Sequence, residues 1–105
     1  MPSPLGLKIR ELRRGRGLTL EDLAVATRSS KSYMWEIENK DVARPSGEKL
    51  NKIAAALGVT PEYLVDASRT EVTEDVEDTA FYRKYQQLGP DAKEKLKRIL
   101  DLFDK

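Results

Sequence analysis

Apolar residues recur at helical spacing through most of this chain, and polar breaks divide it into short segments. Leu5, Ile9 and Leu12 share one face of a helix predicted from about Leu5 to Gly15, which Gly15 and Gly17 end. Thr19 is placed to cap a second helix, with Asp22 three residues on in a variant of the capping box. Leu20, Leu23 and Ala24 are its inward positions, and it stops near Thr27–Arg28. Ser30 is a good N-cap for a third helix running to about Asn39, with Met34 and Ile37 inward. A loop covers 39–45. Ser46 then caps a helix striped by Leu50, Ile53, Ala54 and Leu57, and Gly58 is its expected left-handed terminator. Thr60-Pro61 opens a fifth helix, a capping residue followed by proline at the first helical position, in which Tyr63, Leu64 and Val65 complete the core.

After Asp66 the pattern weakens. The stretch 67–75 is small, polar and acidic and reads as a linker. A helix can start near Asp75, with Val76, Ala80, Tyr85 and Leu88 near one face and Phe81 beside it. Gly89-Pro90 breaks it, and a last helix from about Asp91 to Phe103 carries Ala92, Leu96, Ile99, Leu100 and Phe103 on one stripe. No run alternates as a strand does. The expected fold is all-α: five short helices over 1–66, an acidic linker over 67–74 and a helical hairpin over 75–105.

Composition narrows the chemistry. The chain has 105 residues with no cysteine and no histidine. Disulfides, thiol or imidazole metal sites and His- or Cys-based catalysis are therefore excluded, and nothing isolates a carboxylate pair for acid–base work. The expectation is a non-enzyme with no cofactor and no metal. Met-Pro-Ser-Pro-Leu-Gly is not a signal peptide, and no run approaches the roughly 18 apolar residues of a membrane span, so a soluble cytoplasmic protein is expected. Net charge is only +1, yet residues 1–65 carry +3 and 66–105 carry −2, with six acids between 66 and 78. A basic front followed by an acidic hinge fits a nucleic-acid-facing domain joined to something that faces elsewhere. It fits two solvated surfaces of opposite sign equally well.

Residues 18–45 carry the most information: Leu18-Thr19-Leu20-Glu21-Asp22-Leu23-Ala24, then Ser30-Lys31-Ser32-Tyr33-Met34-Trp35-Glu36-Ile37-Glu38-Asn39, then Arg44-Pro45. Two short helices joined by a tight turn, the second opening on polar and basic residues, have the form of a helix-turn-helix. With Pro45-Ser46 and Ile53-Ala54-Ala55-Ala56-Leu57-Gly58-Val59-Thr60-Pro61 added, residues 5–65 resemble the Xre/Cro-type helix-turn-helix domains of phage repressors and bacterial regulators. Four positions depart from that family's pattern. Leu20 replaces a Gln that helps bind a phosphate and steady the next helix. Arg28 replaces the turn Gly, Ser29 the apolar residue after it, and Lys40 the Gly after the third helix. Arginine takes the left-handed conformation at a cost of about 1 kcal/mol.

The resemblance implies a five-helix lambda-repressor-like domain with double-stranded DNA as partner, and places Lys31, Ser32, Tyr33 and Glu36 at base-facing positions. Their chemistry suits that role. Lys31 can donate to guanine O6 or N7, Glu36 can accept from cytosine N4, Ser32 can do either, and Tyr33 offers a ring to a thymine methyl. A solvated helix face is the plainer reading. By resemblance, Asn39, Lys40 and Arg44 run beside a phosphate strand, with Arg28 and Ser30 as second-tier phosphate candidates, and Arg13 and Glu38 pair to hold the reading helix at its angle. Arg10, Arg14 and Arg16 could add long-range attraction or only solvate the first helix. Trp35, where the family has a polar residue, can pack on the fourth helix or the linker, lie on the DNA backbone, or meet a protein.

A hairpin of about 30 residues buries too little to stand alone. The stripe of Leu96, Ile99, Leu100 and Phe103 is either intramolecular core or a homodimer seam, and a second copy is the usual solution. The expected function is a dimeric repressor of a two-fold operator with helix 30–39 in the major groove. The alternative is an antitoxin or adaptor whose main partner is another protein, a toxin or an antagonist.

Overall fold

The computed structural model describes residues 2–41 and 44–104. Val42 and Ala43 of the predicted loop, with Met1 and Lys105, lie outside them. Among the described residues seven helices follow in order: α1 (Pro4–Gly15), α2 (Leu20–Ala26), α3 (Lys31–Asn39), α4 (Gly47–Leu57), α5 (Pro61–Val65), α6 (Glu74–Gln87) and α7 (Pro90–Asp101). There is no strand among the described residues.

Side-chain caps set most helix starts. The hydroxyls of Ser3, Thr19, Ser30, Ser46, Thr60 and Thr73 each accept from the backbone N–H three residues on. At α2 the box closes both ways, because the Asp22 carboxylate also accepts from the Thr19 N–H at 2.9 Å. Hydrogen bonds from Thr19 hold that carboxyl below its usual range. Gly58 ends α4 at φ 72, the left-handed terminator the sequence predicts. Arg28 takes the same region at φ 54 in the turn between α2 and α3. There the Ser29 N–H donates to the Ala24 carbonyl at 2.8 Å and closes the end of α2.

Ile9, Leu23, Met34, Ile37, Ile53, Leu57 and Leu64 are fully buried at the centre of α1–α5. α3 packs on α1 and α2, while α4 joins α2, α5 and α6. The crossing of α1 over α3 is tight. A Cβ built on Gly6 would lie 2.5 Å from the Ile37 carbonyl oxygen and 2.9 Å from that of Glu38. Both obstacles are backbone, so neither can swing away. Gly6→Ala is therefore expected to lower stability by about 1–3 kcal/mol as α1 is pushed off α3. A thermal melt against wild type checks this.

The structure differs from the sequence reading at two places in the core. Val65, expected inside, is 59% exposed, because Tyr63 and Leu64 already occupy the inward arc of the one-turn helix α5. Val76 and Ala80 are buried, and α6 packs on α4, tied further by Arg83 donating to Glu62 at 2.9 Å. The first helix of the C-terminal pair thus extends the core of α1–α5. α7 has no buried residue; its Ile99 and Leu100, and Leu102 and Phe103 just beyond its end, are all exposed.

Candidate nucleic-acid interface

α3 has one locked face and one open face. Met34, Ile37 and Glu38 are buried, whereas Lys31, Ser32, Trp35 and Glu36 are exposed and Tyr33 is half-buried. The period of 3.6 residues produces this division, since the i, i+3 and i+4 positions from Met34 turn inward together.

Glu38 is the unusual member of the inward set, a carboxylate with 1% of its side chain exposed. Arg13 of α1 meets it through a two-pronged fork, Nε to Oε2 at 2.7 Å and Nη2 to Oε1 at 3.0 Å, while Nη1 donates to the Leu18 carbonyl at 2.9 Å. These bonds raise the Arg13 pKa above its ordinary value against the opposing pull of burial. Because the planar guanidinium fixes both distance and plane, the pair orients α3 relative to α1 as well as attracting it.

The turn before α3 has a second anchor, which sequence reasoning missed. Lys49 of α4 donates to the Thr27 carbonyl at 2.9 Å and to that of Arg28 at 3.4 Å. Its ammonium also lies 5.9 Å from the Tyr33 ring centre. It satisfies carbonyls at the end of α2 where no glycine turn is present. Lys8 does similar work at α5, donating to the carbonyls of Tyr63 and Asp66 at 2.8 and 2.7 Å, with its ammonium 4.3 Å from the Tyr63 ring centre. Burial lowers its pKa, and nearby Asp66 opposes that shift. Arg16 donates to the Leu57 carbonyl at 3.2 Å. The sequence assigns none of the three this role, because backbone acceptors leave no mark on residue identity.

Lys31, Ser32 and Glu36 line a shallow groove with Leu20 of α2 and Trp35. Trp35 is 49% exposed and does not enter the core. The Lys40 ammonium lies 5.9 Å from its ring centre, and the Asn39 side chain donates back to its carbonyl at 2.9 Å. Ser30 caps α3 through Tyr33 N–H at 3.0 Å, so its hydroxyl is already engaged. Arg28 is exposed at the turn. Arg44 is exposed and lines a different groove, shared with Ser3, Leu5 and Val65. No group of acids that could hold a metal ion occurs among the described residues, and no described helix is long and apolar enough to cross a membrane.

Arg28 offers a clean separation of strain from contact. Arg28→Gly is expected to raise stability by up to about 1 kcal/mol by relieving the left-handed strain. It also removes a cation from the candidate phosphate-facing edge, so melting temperature and DNA affinity should move in opposite directions.

Comparison with known proteins matches this geometry to a family. Residues 4–67 match the helix-turn-helix domain family. The chain is 41% identical over 66 residues to the uncharacterized HTH-type transcriptional regulator RghRB of Bacillus subtilis, covering 63% of this chain and 48% of that protein. It thus spans about half the length of that relative. Among solved structures, the biofilm master regulator SinR in complex with DNA is similar with a TM-score of 0.56 and 34% identity, over 59% of this chain and 98% of that one. ClgR, the clp gene regulator of Corynebacterium glutamicum, is similar over 96% of this chain and 90% of its own, with a TM-score of 0.56 and 26% identity. On the span of the family match and the fold that carries it, this chain belongs to the helix-turn-helix domain family and is of the Xre/Cro type.

Proposed function

We propose that this chain is a sequence-specific DNA-binding repressor that acts as a homodimer in the cytoplasm, laying α3 of each copy in the major groove of a two-fold operator. The observation that carries the reading is the open face of α3, where Lys31, Ser32 and Glu36 stand free while Arg13–Glu38 and Lys49 fix the helix behind them. A relative at 34% identity was solved bound to DNA, which supports the same partner here. In this reading Lys31, Ser32, Tyr33 and Glu36 meet base edges, and Arg28, Ser30, Asn39, Lys40 and Arg44 set register on phosphates. Residues 1–66 form the reading domain, 67–74 the hinge and 75–105 the dimerisation segment, with Leu96, Ile99, Leu100 and Phe103 at the seam. Repression is steric, by occupation of a promoter, with half-sites one helical turn or a multiple of it apart.

Selection of bound duplexes from random DNA tests this directly. A two-fold site should emerge, and its affinity should fall steeply as salt rises. Lys31→Ala is expected to weaken that site by about 1–3 kcal/mol and relax preference at one base pair, with helix content unchanged. Unchanged relative preferences would reduce Lys31 to a phosphate contact.

One observation favours a second reading, an antitoxin or adaptor that binds another protein. The apolar stripe of α7 lies open to solvent, as a surface for a foreign helix would. Loss of partner binding with retained operator binding in a variant of that stripe would select this reading.

A further inference from the structure

The groove between α2 and α3 is apolar at a point where the reading helix is otherwise polar. It is lined by Leu20, half-buried, and Trp35, 49% exposed, together with Lys31, Ser32 and Glu36. Apolar side chains framed by a hydrogen-bond donor, an acceptor and a hydroxyl match the edge of a base pair that presents a methyl group beside polar atoms. In the major groove only thymine does so, through its C5-methyl next to O4, with the N6 amino group and N7 of its adenine partner alongside. The charge arrangement agrees. Lys31 lines the groove, and the Lys40 ammonium stands 5.9 Å from the Trp35 ring centre, leaving that indole beside a cation.

Resting on the reading of α3 as the DNA-facing helix, we propose that Leu20 and Trp35 form a thymine-methyl pocket that makes this protein select a thymine at one position of each half-site. Leu20, where the resembling domains carry glutamine, trades a phosphate-anchoring amide for apolar surface. Trp35 adds the second apolar side chain to the lining. The gain is the removal of one methyl group from water, which corresponds to about a fourfold change in affinity per half-site.

The test uses the full chain and the duplex selected from random DNA. Each thymine is replaced in turn by deoxyuridine, which lacks only the methyl and keeps base pairing intact. Wild type should lose about fourfold at one position per half-site and little elsewhere. Trp35→Ala should bind the thymine duplex more weakly and lose that distinction; its exposure leaves the core untouched, and a melt confirms the fold. Leu20→Gln should likewise lose it. Trp35 is the sole tryptophan, so its emission should shift to the blue on the thymine duplex and less on the deoxyuridine one. Sequence-specific binding with no deoxyuridine penalty anywhere overturns the pocket and leaves the DNA reading standing. A penalty that persists in both variants also overturns it, because the methyl then sits elsewhere. Unchanged Trp35 emission at saturating DNA does the same. Failure of the full chain to bind any selected duplex sinks the DNA reading itself, and the pocket with it.

Discussion

Glu38→Gln and Arg13→Met are each expected to lower stability by about 3–5 kcal/mol, the cost of stranding one member of a buried ion pair. The geometry sets the size. Glu38 is 1% exposed and accepts both of its side-chain hydrogen bonds from Arg13. Glutamine keeps the shape but turns one acceptor into a donor facing a guanidinium N–H. Methionine keeps much of the arginine stem but leaves a carboxylate in the core with no cation. At about 4–8 °C per kcal/mol for a domain of this size, either melt should drop by well over 10 °C. Operator affinity should fall with it, because α3 loses what fixes its angle to α1. Lys40→Ala provides the contrast: it should weaken DNA binding and leave the melt unchanged, since Lys40 is exposed and, among the described residues, its ammonium lies beside the Trp35 ring. The double variant Arg13→Met with Glu38→Met should recover most of the lost stability, because replacing both charges strands neither. Wild-type melts for both single variants would show that the pair does not hold the scaffold.

The parts of this fold most legible in the sequence are those written in local chemistry. Ser30, Ser46 and Thr60-Pro61 announce three helix starts, Thr19 with Asp22 a fourth, and Gly58 a helix end, and each stands where the residue types place it. The apolar spacings of Ile9, Leu23, Met34, Ile37, Ile53 and Leu57 pick out the core for the same reason. What stayed hidden depends on distant partners. Val76 and Ala80 are two modest apolar positions in an acid-rich stretch, and packing of α6 on α4 helps make them core. Lys8, Arg16 and Lys49 find their partners at backbone carbonyls 41 to 58, or about 22, positions away, which no residue pattern encodes. The interface splits along the same line. The open face of α3 follows from its helical period, whereas the groove that Leu20 and Trp35 both line depends on how two helices cross.

Truncation after Gln87 is expected to leave a folded monomer that binds a two-fold operator about 10²–10⁴-fold more weakly than the full chain. The boundary matters. Cutting after Glu74 would also strip Val76 and Ala80 from the core and Arg83 from Glu62, and so mix a folding defect with an assembly defect. Cutting after Gln87 removes α7, which has no buried residue, so the caps and core of α1–α6 remain. A twelve-residue helix with Ile99 52% and Leu100 55% exposed, and Phe103 79% exposed just past its end, is marginal in water by itself. Pairing the stripe with its own copy buries both faces at once under one two-fold axis, the symmetry a two-fold operator asks for. Linked half-site contacts make the second binding event intramolecular, and a monomer forfeits that gain without losing any contact within its own half-site. Leu100→Asp with Phe103→Asp should reproduce the effect in a chain of full length, because two carboxylates in a desolvated seam are strongly unfavourable. Light scattering or sedimentation on both variants, beside titrations on full and half operators, decides the matter. If the chain ending at Gln87 remains dimeric, the seam lies within α1–α6, and the α7 stripe belongs to a different protein partner.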